Sequence, residues 1–213
     1  MPPETDELTG LQGRGAFEGA LKQALAASDG VALALIDVDN LKEINDEQGY
    51  AAGDEVLRAL GPLLEQAAPG HAFRLGGDEF ALILPDTTLE QAFLRLEGLR
   101  ARAQAELRAP AASGERPVTI KAGVAQAPRD AKDQRGLVSA ADAALQAARE
   151  VGRNTVCLPP NEEMVMKSAY YPATSLRRLK ALAERLKRSE SRLLREALED
   201  LFRKYDTREG SRV

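Results

Sequence analysis

The hydrophobic positions fall into short blocks whose period changes along the chain. Residues 31–37 (VALALID) form a continuous apolar run closed by a carboxylate, which predicts a strand buried on both faces. Between 51 and 68, Val56, Leu57, Leu60, Leu63 and Leu64 recur at helical spacing and share one side. Residues 73–75 and 79–84 are short apolar runs around Gly76-Gly77-Asp78, the pattern of a β-hairpin with a glycine-containing turn. A helix is expected at 88–107 and a strand at 118–125. An Ala-rich helix follows at 137–151, ending near Gly152, and a short closing strand at 155–158. Strands interleaved with helices around a central hairpin predict an α+β or α/β fold, a mixed sheet flanked by helices.

Pro159-Pro160-Asn161 interrupts this pattern, so 1–158 reads as one domain and 159–164 as a linker. An extended stretch at 165–171 is stopped by Pro172, and two amphipathic helices follow. The first carries Leu176, Leu179, Leu182, Ala183 and Leu186 on one face; the second carries Leu193, Leu194, Ala197, Leu198, Leu201, Phe202 and Tyr205. Ser189 stands between them as an N-cap candidate. One strand and two short helices bury little surface alone. The segment 165–207 is therefore expected to pair with a second copy as a homodimer, and 208–213 to be a disordered tail.

Composition adds constraints. Aromatic residues make up 4% of the chain and Trp is absent, so the core must come from Ala, Leu, Val and Ile. No apolar run approaches the ~18 residues of a membrane span, and the first residues lack the pattern of a secretion signal. A single cysteine, Cys157, allows no intramolecular disulfide. These features predict a cytoplasmic protein without membrane contact. Charge is uneven. Residues 1–166 hold 16 basic and 26 acidic residues, against 13 and 7 in 167–213, or net −10 and +6. A basic tail suits either an anionic partner or a solvated, charge-laced helix pair.

Asp37-Val38-Asp39 ends the first strand, where carboxylates can hold a hard cation. Asp78 and Glu79 lie in a turn whose two glycines let a ligand approach the backbone. If hairpin and strand pair, these acidic groups converge on a site for Mg²⁺ carrying nucleotide phosphates. Alone, each piece also fits an ordinary solvated turn.

Together they resemble the GGDEF family, the diguanylate cyclase domain. The resemblance rests on residues 6–17 (DELTGLQGRGAF), 35–57 (LIDVDNLKEINDEQGYAAGDEVL), 73–87 (FRLGGDEFALILPDT), 118–125 (VTIKAGVA) and 141–154 (ADAALQAAREVGRN). It implies that two GTP molecules on facing domains condense to cyclic di-GMP, each 3′-hydroxyl attacking the other's α-phosphate with release of pyrophosphate. It also implies that Asp37 and the Val38 carbonyl hold Mg²⁺ (or Mn²⁺), with Asp78 or Glu79 completing the site. Glu79 is the implied base for the 3′-hydroxyl, directly or through the metal. Asn45 and Asp54 match positions that read the guanine edge. A carboxylate can accept from guanine N1–H and the 2-amino group, a donor pair that adenine lacks. Leu41, Lys42, Tyr50, Gly76 and Gly77 belong to the implied nucleotide site, and Arg149 and Arg153 to its triphosphate end.

The chain departs from the family's usual pattern at several positions. Tyr50 stands for His, Arg149 for Lys, Lys121 for a small residue, and Leu145-Gln146 lies where a Tyr is usual. The family's product-inhibition motif, RxxD before the hairpin, has no counterpart in residues 63–73 (LLEQAAPGHAF), so inhibition there is not expected.

Residues 166–205 resemble a ribbon-helix-helix module; a plain helical hairpin or coiled coil is the competing reading. Such modules dimerise by pairing their strands, and in related repressors the ribbon enters the DNA major groove. That would set Met166, Lys167, Ser168 and Tyr170 toward base edges or backbone, and Ser189 and Ser191 toward phosphate. Lys167 is the one basic residue of the strand, little for phosphate contact. Two functions follow: a cyclase dimerised by its tail, or a DNA-binding regulator whose first domain senses GTP or cyclic di-GMP; a catalytically dead scaffold is a third reading, against which the intact acidic and guanine-reading residues argue.

Overall fold

The computed structural model describes residues 5–111, 114–160, 171–186, 188–190, 193, 194, 197, 201 and 204. The chain divides into two units, 1–164 and 165–213. In the first, the order is β1 (Gln12–Gly13), α1 (Arg14–Ala27), β2 (Val31–Val38), α2 (Leu41–Gln48), α3 (Tyr50–Ala67), β3 (Ala72–Gly76), β4 (Glu79–Pro85) and α4 (Leu89–Glu106). Then come β5 (Arg108–Ala111), β6 (Gly114–Pro117), β7 (Ile120–Ala127), α5 (Gln134–Val151) and β8 (Thr155–Cys157).

Six strands form one mixed sheet in the order β1-β3-β4-β2-β7-β8. Its central strand, β2, runs antiparallel to both β4 and β7, while the outer pairs β1–β3 and β7–β8 are parallel. Every residue of β2 is buried, which is why its sequence shows no alternation. The alternation is present in space instead. Ala32, Ala34, Ile36 and Val38 join a core with Leu57, Leu60 and Leu64 of α3 and Leu96 of α4. Val31, Leu33 and Leu35 join the opposite core with Phe17 and Leu21 of α1 and Leu137, Ala141 and Leu145 of α5. Asp37 follows Leu35 on the α5 side, just where that core ends.

Two local features seat the helices. Thr88 caps α4 with a reciprocal box: its hydroxyl accepts from Gln91 N at 3.2 Å, and the Gln91 side chain accepts from Thr88 N at 3.1 Å. Gly123 of β7 lets α5 lie against the sheet, since a Cβ there would stand 2.0 Å from Leu145 N.

The strand expected at 118–125 runs instead from Ile120 to Ala127, because Val118 N–H donates to Leu107 O at 3.1 Å, outside the sheet. The helices α1 and α2 and the β5–β6 hairpin were not read from the sequence.

In the second unit α6 spans Ala173–Leu186. Ser189 precedes helical Glu190, and its carbonyl accepts from Leu193 N at 3.2 Å. Leu176, Leu186, Leu194 and Leu201 are exposed. The stretch expected at 165–171 lies, apart from Tyr171, outside the described residues, as do Met166, Lys167, Ser168, Tyr170, Ser191 and 208–213. No helix among the described residues is long and apolar enough to cross a membrane.

Candidate functional site

The sheet register brings the acidic residues together. Asp37 lies opposite Glu79 of β4 on one side and Lys121 of β7 on the other. The β3–β4 turn reaches this edge because Gly76 and Gly77 take φ of +145° and +55°, a region that favours glycine. Val38 N–H donates to Asp78 O at 3.3 Å and ties the turn to the end of β2. Arg74 holds the turn from its other side. Its Nη2 donates to Gly77 O at 2.8 Å, and its Nη1 lies 3.0 Å from both carboxylate oxygens of Asp6.

From the last turn of α5, Arg149 Nε donates to Asp37 Oδ2 at 2.9 Å, and its Nη2 stands 3.5 Å from Glu79 Oε1. One guanidinium thus spans both carboxylates. Burial raises the Asp37 pKa above the usual carboxylate range against the Arg149 hydrogen bond; the charge of Asp78 adds to burial, and Lys121 and Arg149 oppose it. Burial also opposes the charge on Arg149, but Asp37 and Glu79 outweigh it and raise the Arg149 pKa.

Asp39, two residues on, has a different environment. It is 3% exposed and accepts from Thr119 Oγ1 at 2.6 Å, Asn154 N at 2.8 Å and Lys121 Nζ. Its lone pairs are occupied within the protein, whereas Asp37, also buried, shares the Arg149 guanidinium with Glu79, whose side chain is 46% exposed. Among the described residues no three carboxylate, imidazole or thiolate side chains form a metal cage. Asp37, Glu79 and the Val38 carbonyl offer hard oxygen donors, a set that fits a divalent cation arriving with phosphate oxygens as further ligands.

Beyond β2, Asn40 turns the chain in the left-handed region (φ 61°) and α2 begins. Leu41 is buried and anchors the helix, Lys42 is exposed, and Asn45 faces α3 at Gly53. Asn45 Oδ1 is buried and has no hydrogen-bond partner in the protein. Leaving such an oxygen unpaired costs about 1–3 kcal/mol, so a ligand donor would relieve it. A Cβ at position 53 would come 2.0 Å from that oxygen; Gly53 therefore makes the space. Asp54 follows as the fifth residue of α3, exposed, and Tyr50 at the helix start is 80% exposed.

The hairpin β5–β6 supports α2. Arg116 reaches Glu43 Oε1 with Nη1 at 3.1 Å and Glu47 Oε2 with Nη2 at 3.3 Å, one helical turn apart. Arg153, read as a triphosphate contact, lies 3.7 Å from Glu43 Oε2, with its side chain 67% exposed. The structure thus joins Asp37, Glu79 and Arg149 directly, and sets Asn45 beside Gly53-Asp54. Asp6, Arg74 and Arg116 were not singled out from the sequence, and Asp39, read there with Asp37 as a strand-end carboxylate, is instead paired within the protein. Their long-range partners are 68 to 115 residues away, and no local pattern marks such pairs.

Comparison with known proteins agrees with this geometry. The family model for the diguanylate cyclase GGDEF domain matches residues 4–155, and that for the ribbon-helix-helix domain matches 169–206. The response regulator PleD of Caulobacter vibrioides is 36% identical over 159 residues, covering 71% of this chain and 35% of its own length. The diguanylate cyclase VdcA of Vibrio cholerae is 32% identical over 154 residues, 71% of this chain and 45% of its own. The chain thus spans less than half the length of these relatives. The GGDEF domain of DgcB from Caulobacter crescentus, solved in complex with c-di-GMP, superimposes with a TM-score of 0.65 at 33% identity, covering 72% of this chain and 91% of that one. With an α+β sheet, a glycine-aspartate hairpin paired to the acidic end of β2, and a matching tail, the chain belongs to the GGDEF family and carries a ribbon-helix-helix segment after it.

Proposed function

We propose that this protein is a diguanylate cyclase that condenses two GTP into cyclic di-GMP and pyrophosphate, with the tail holding two copies together. The observation that carries the reading is the row formed by Glu79, Asp37 and Arg149, beside an Asn45 oxygen left without a protein partner. Asp54 would accept from guanine N1–H and the 2-amino group while the Asn45 amide meets the same base. Lys42, Arg149 and Arg153 would face the phosphates, with Arg149 passing from the two carboxylates to phosphate oxygens as the nucleotide enters. The Glu79 carboxylate would take the proton from the 3′-hydroxyl whose oxygen attacks the other GTP's α-phosphorus. Asp37, the Val38 carbonyl and Asp78 or Glu79 would hold Mg²⁺ or Mn²⁺, which neutralises phosphate charge and polarises the phosphoryl oxygen.

Each domain supplies one nucleotide, so the reaction needs two. A dimeric tail raises the effective concentration of one half-site about the other. The apolar residues exposed on the second unit and its ribbon-helix-helix match support a second copy as its partner. Residues 63–73 hold neither Arg nor Asp, so product inhibition through an RxxD motif is not expected. The test incubates the full chain with GTP and Mg²⁺ and identifies product by mass. Cyclic di-GMP is expected, and Glu79→Gln should reduce its rate by on the order of 10²–10⁴-fold. Dimeric, folded protein that yields no product would overturn the reading.

The same tail match favours a second function, a DNA-binding regulator whose first domain senses GTP or cyclic di-GMP. It predicts that the full chain binds palindromic duplex DNA with affinity that falls steeply with salt and responds to nucleotide. Absence of binding at low salt would remove it.

A further inference from the structure

Four carboxylates and two cations meet at the end of β2. Arg149 serves Asp37 and Glu79, and Asp78 lies near enough to act on Asp37. Lys121 is the other cation. It is the cross-strand partner of Asp37 in the β2–β7 register, yet its ammonium goes diagonally to Asp39. Both side chains are enclosed, at 15% exposure for Lys121 and 2% for Asp39. Burying an ammonium carries a large desolvation cost. Asp39 already accepts from Thr119 and from the Asn154 backbone. A fixed positive charge one strand from an oxygen-donor site acts on any cation placed there, and the low local dielectric makes the effect large.

We propose that Lys121 is a built-in counter-ion of the strand-end site. Paired with Asp39, it lowers the site's affinity for a bare divalent cation, so that the ion is held well only with nucleotide phosphates. This rests on the reading of Asp37 as a metal ligand. Lys121 is here a positioning residue that acts through charge and touches neither substrate nor metal.

The test is Mn²⁺ binding to the full chain without nucleotide, followed by the electron paramagnetic resonance of the free ion. Four proteins are compared: the unaltered chain, Lys121→Met, Asp39→Asn and the double variant. Lys121→Met should bind Mn²⁺ about tenfold more tightly, and Asp39→Asn about tenfold more weakly, while the double variant should return to within about threefold of the unaltered chain. Circular dichroism checks that each is folded. The double variant carries no unpaired buried charge, so it remains informative if a single variant unfolds; a large change of Mn²⁺ affinity there would overturn the proposal. Equal binding in all four, or shifts of the same sign in both single variants, would overturn the proposal and leave the metal reading standing. No Mn²⁺ bound by any of the four would overturn both.

Discussion

The first unit buries β2 on both faces, with Leu33 and Ile36 in separate cores at 0% exposure. In the second unit Leu176 and Leu186, one at each end of α6, remain 43% and 46% exposed. Both units have the same kind of amphipathic pattern, but among the described residues of the second, Leu176, Leu186, Leu194 and Leu201 stay exposed while Ala183 and Leu193 are buried. On the proposed function, the first unit supplies the groups for one nucleotide, and the second, with leucines exposed among its described residues, brings a second copy. The difference teaches that a finished hydrophobic core and a finished active site are separate requirements.

Of the changes that test this comparison, breaking the tail's apolar face should have the largest effect. Leu176→Asp with Leu186→Asp is expected to give monomers in sedimentation and to slow cyclic di-GMP formation about 100-fold at dilute protein. The rate should recover as protein concentration rises. An unchanged rate in a monomeric variant would show that the two units are not functionally complementary.

Within the first unit, Gly53→Ala sharpens the comparison. The added Cβ would fall 2.0 Å from Asn45 Oδ1 and must displace it. The expected result is about a tenfold rise in KM for GTP with a smaller change in kcat, matched by Asn45→Ala, whereas dimerisation is untouched. Equal KM values in Gly53→Ala and the unaltered chain would remove Asn45 from the guanine site.

The smallest expected effect concerns Asp6. Burial opposes its ionisation, but the Thr9 hydrogen bonds and Arg74 together outweigh it and hold its pKa below the ordinary value. A depressed folded-state pKa gives stability that is fully present above the unfolded value near 3.9 and is lost as pH falls through the folded one. Asp6→Asn should therefore cost about 1 kcal/mol at pH 6 to 7 and progressively less below about pH 4, measured by urea unfolding. A difference that persists at pH 2 would mean that the Arg74 clamp acts through shape and not charge.

Much of the first unit was legible because its signals are local. The apolar run of β2, the paired runs around Gly76-Gly77 and the helical spacing of Val56 to Leu64 each lie within one element. The missed helix α1 has three buried residues, Phe17, Leu21 and Ala24, among glycines and alanines, too sparse a stripe to stand out. Only eight residues make up α2, and half of its chemistry depends on contacts from outside it. In the tail, the helix at Ala173–Leu186 was visible from leucine spacing alone.

The sequence by itself determined that a carboxylate-ended strand, a glycine-aspartate turn and a basic amphipathic tail are present, because side-chain period and turn chemistry act over a few residues. Only the tertiary structure decided what each carboxylate does. Asp37 lies in β2 and Asp39 in the turn just after it, two positions apart. The β4 and β7 registers, with α5 set close by Gly123, put Glu79 and Arg149 beside the first, and Lys121, Thr119 and Asn154 around the second. Those neighbours come from 80 to 115 residues away for Asp39 and 112 for the Arg149 contact. Whether a carboxylate shares one guanidinium with a neighbour or is fully paired inside the protein is a matter of burial and pairing, which sequence period alone does not encode.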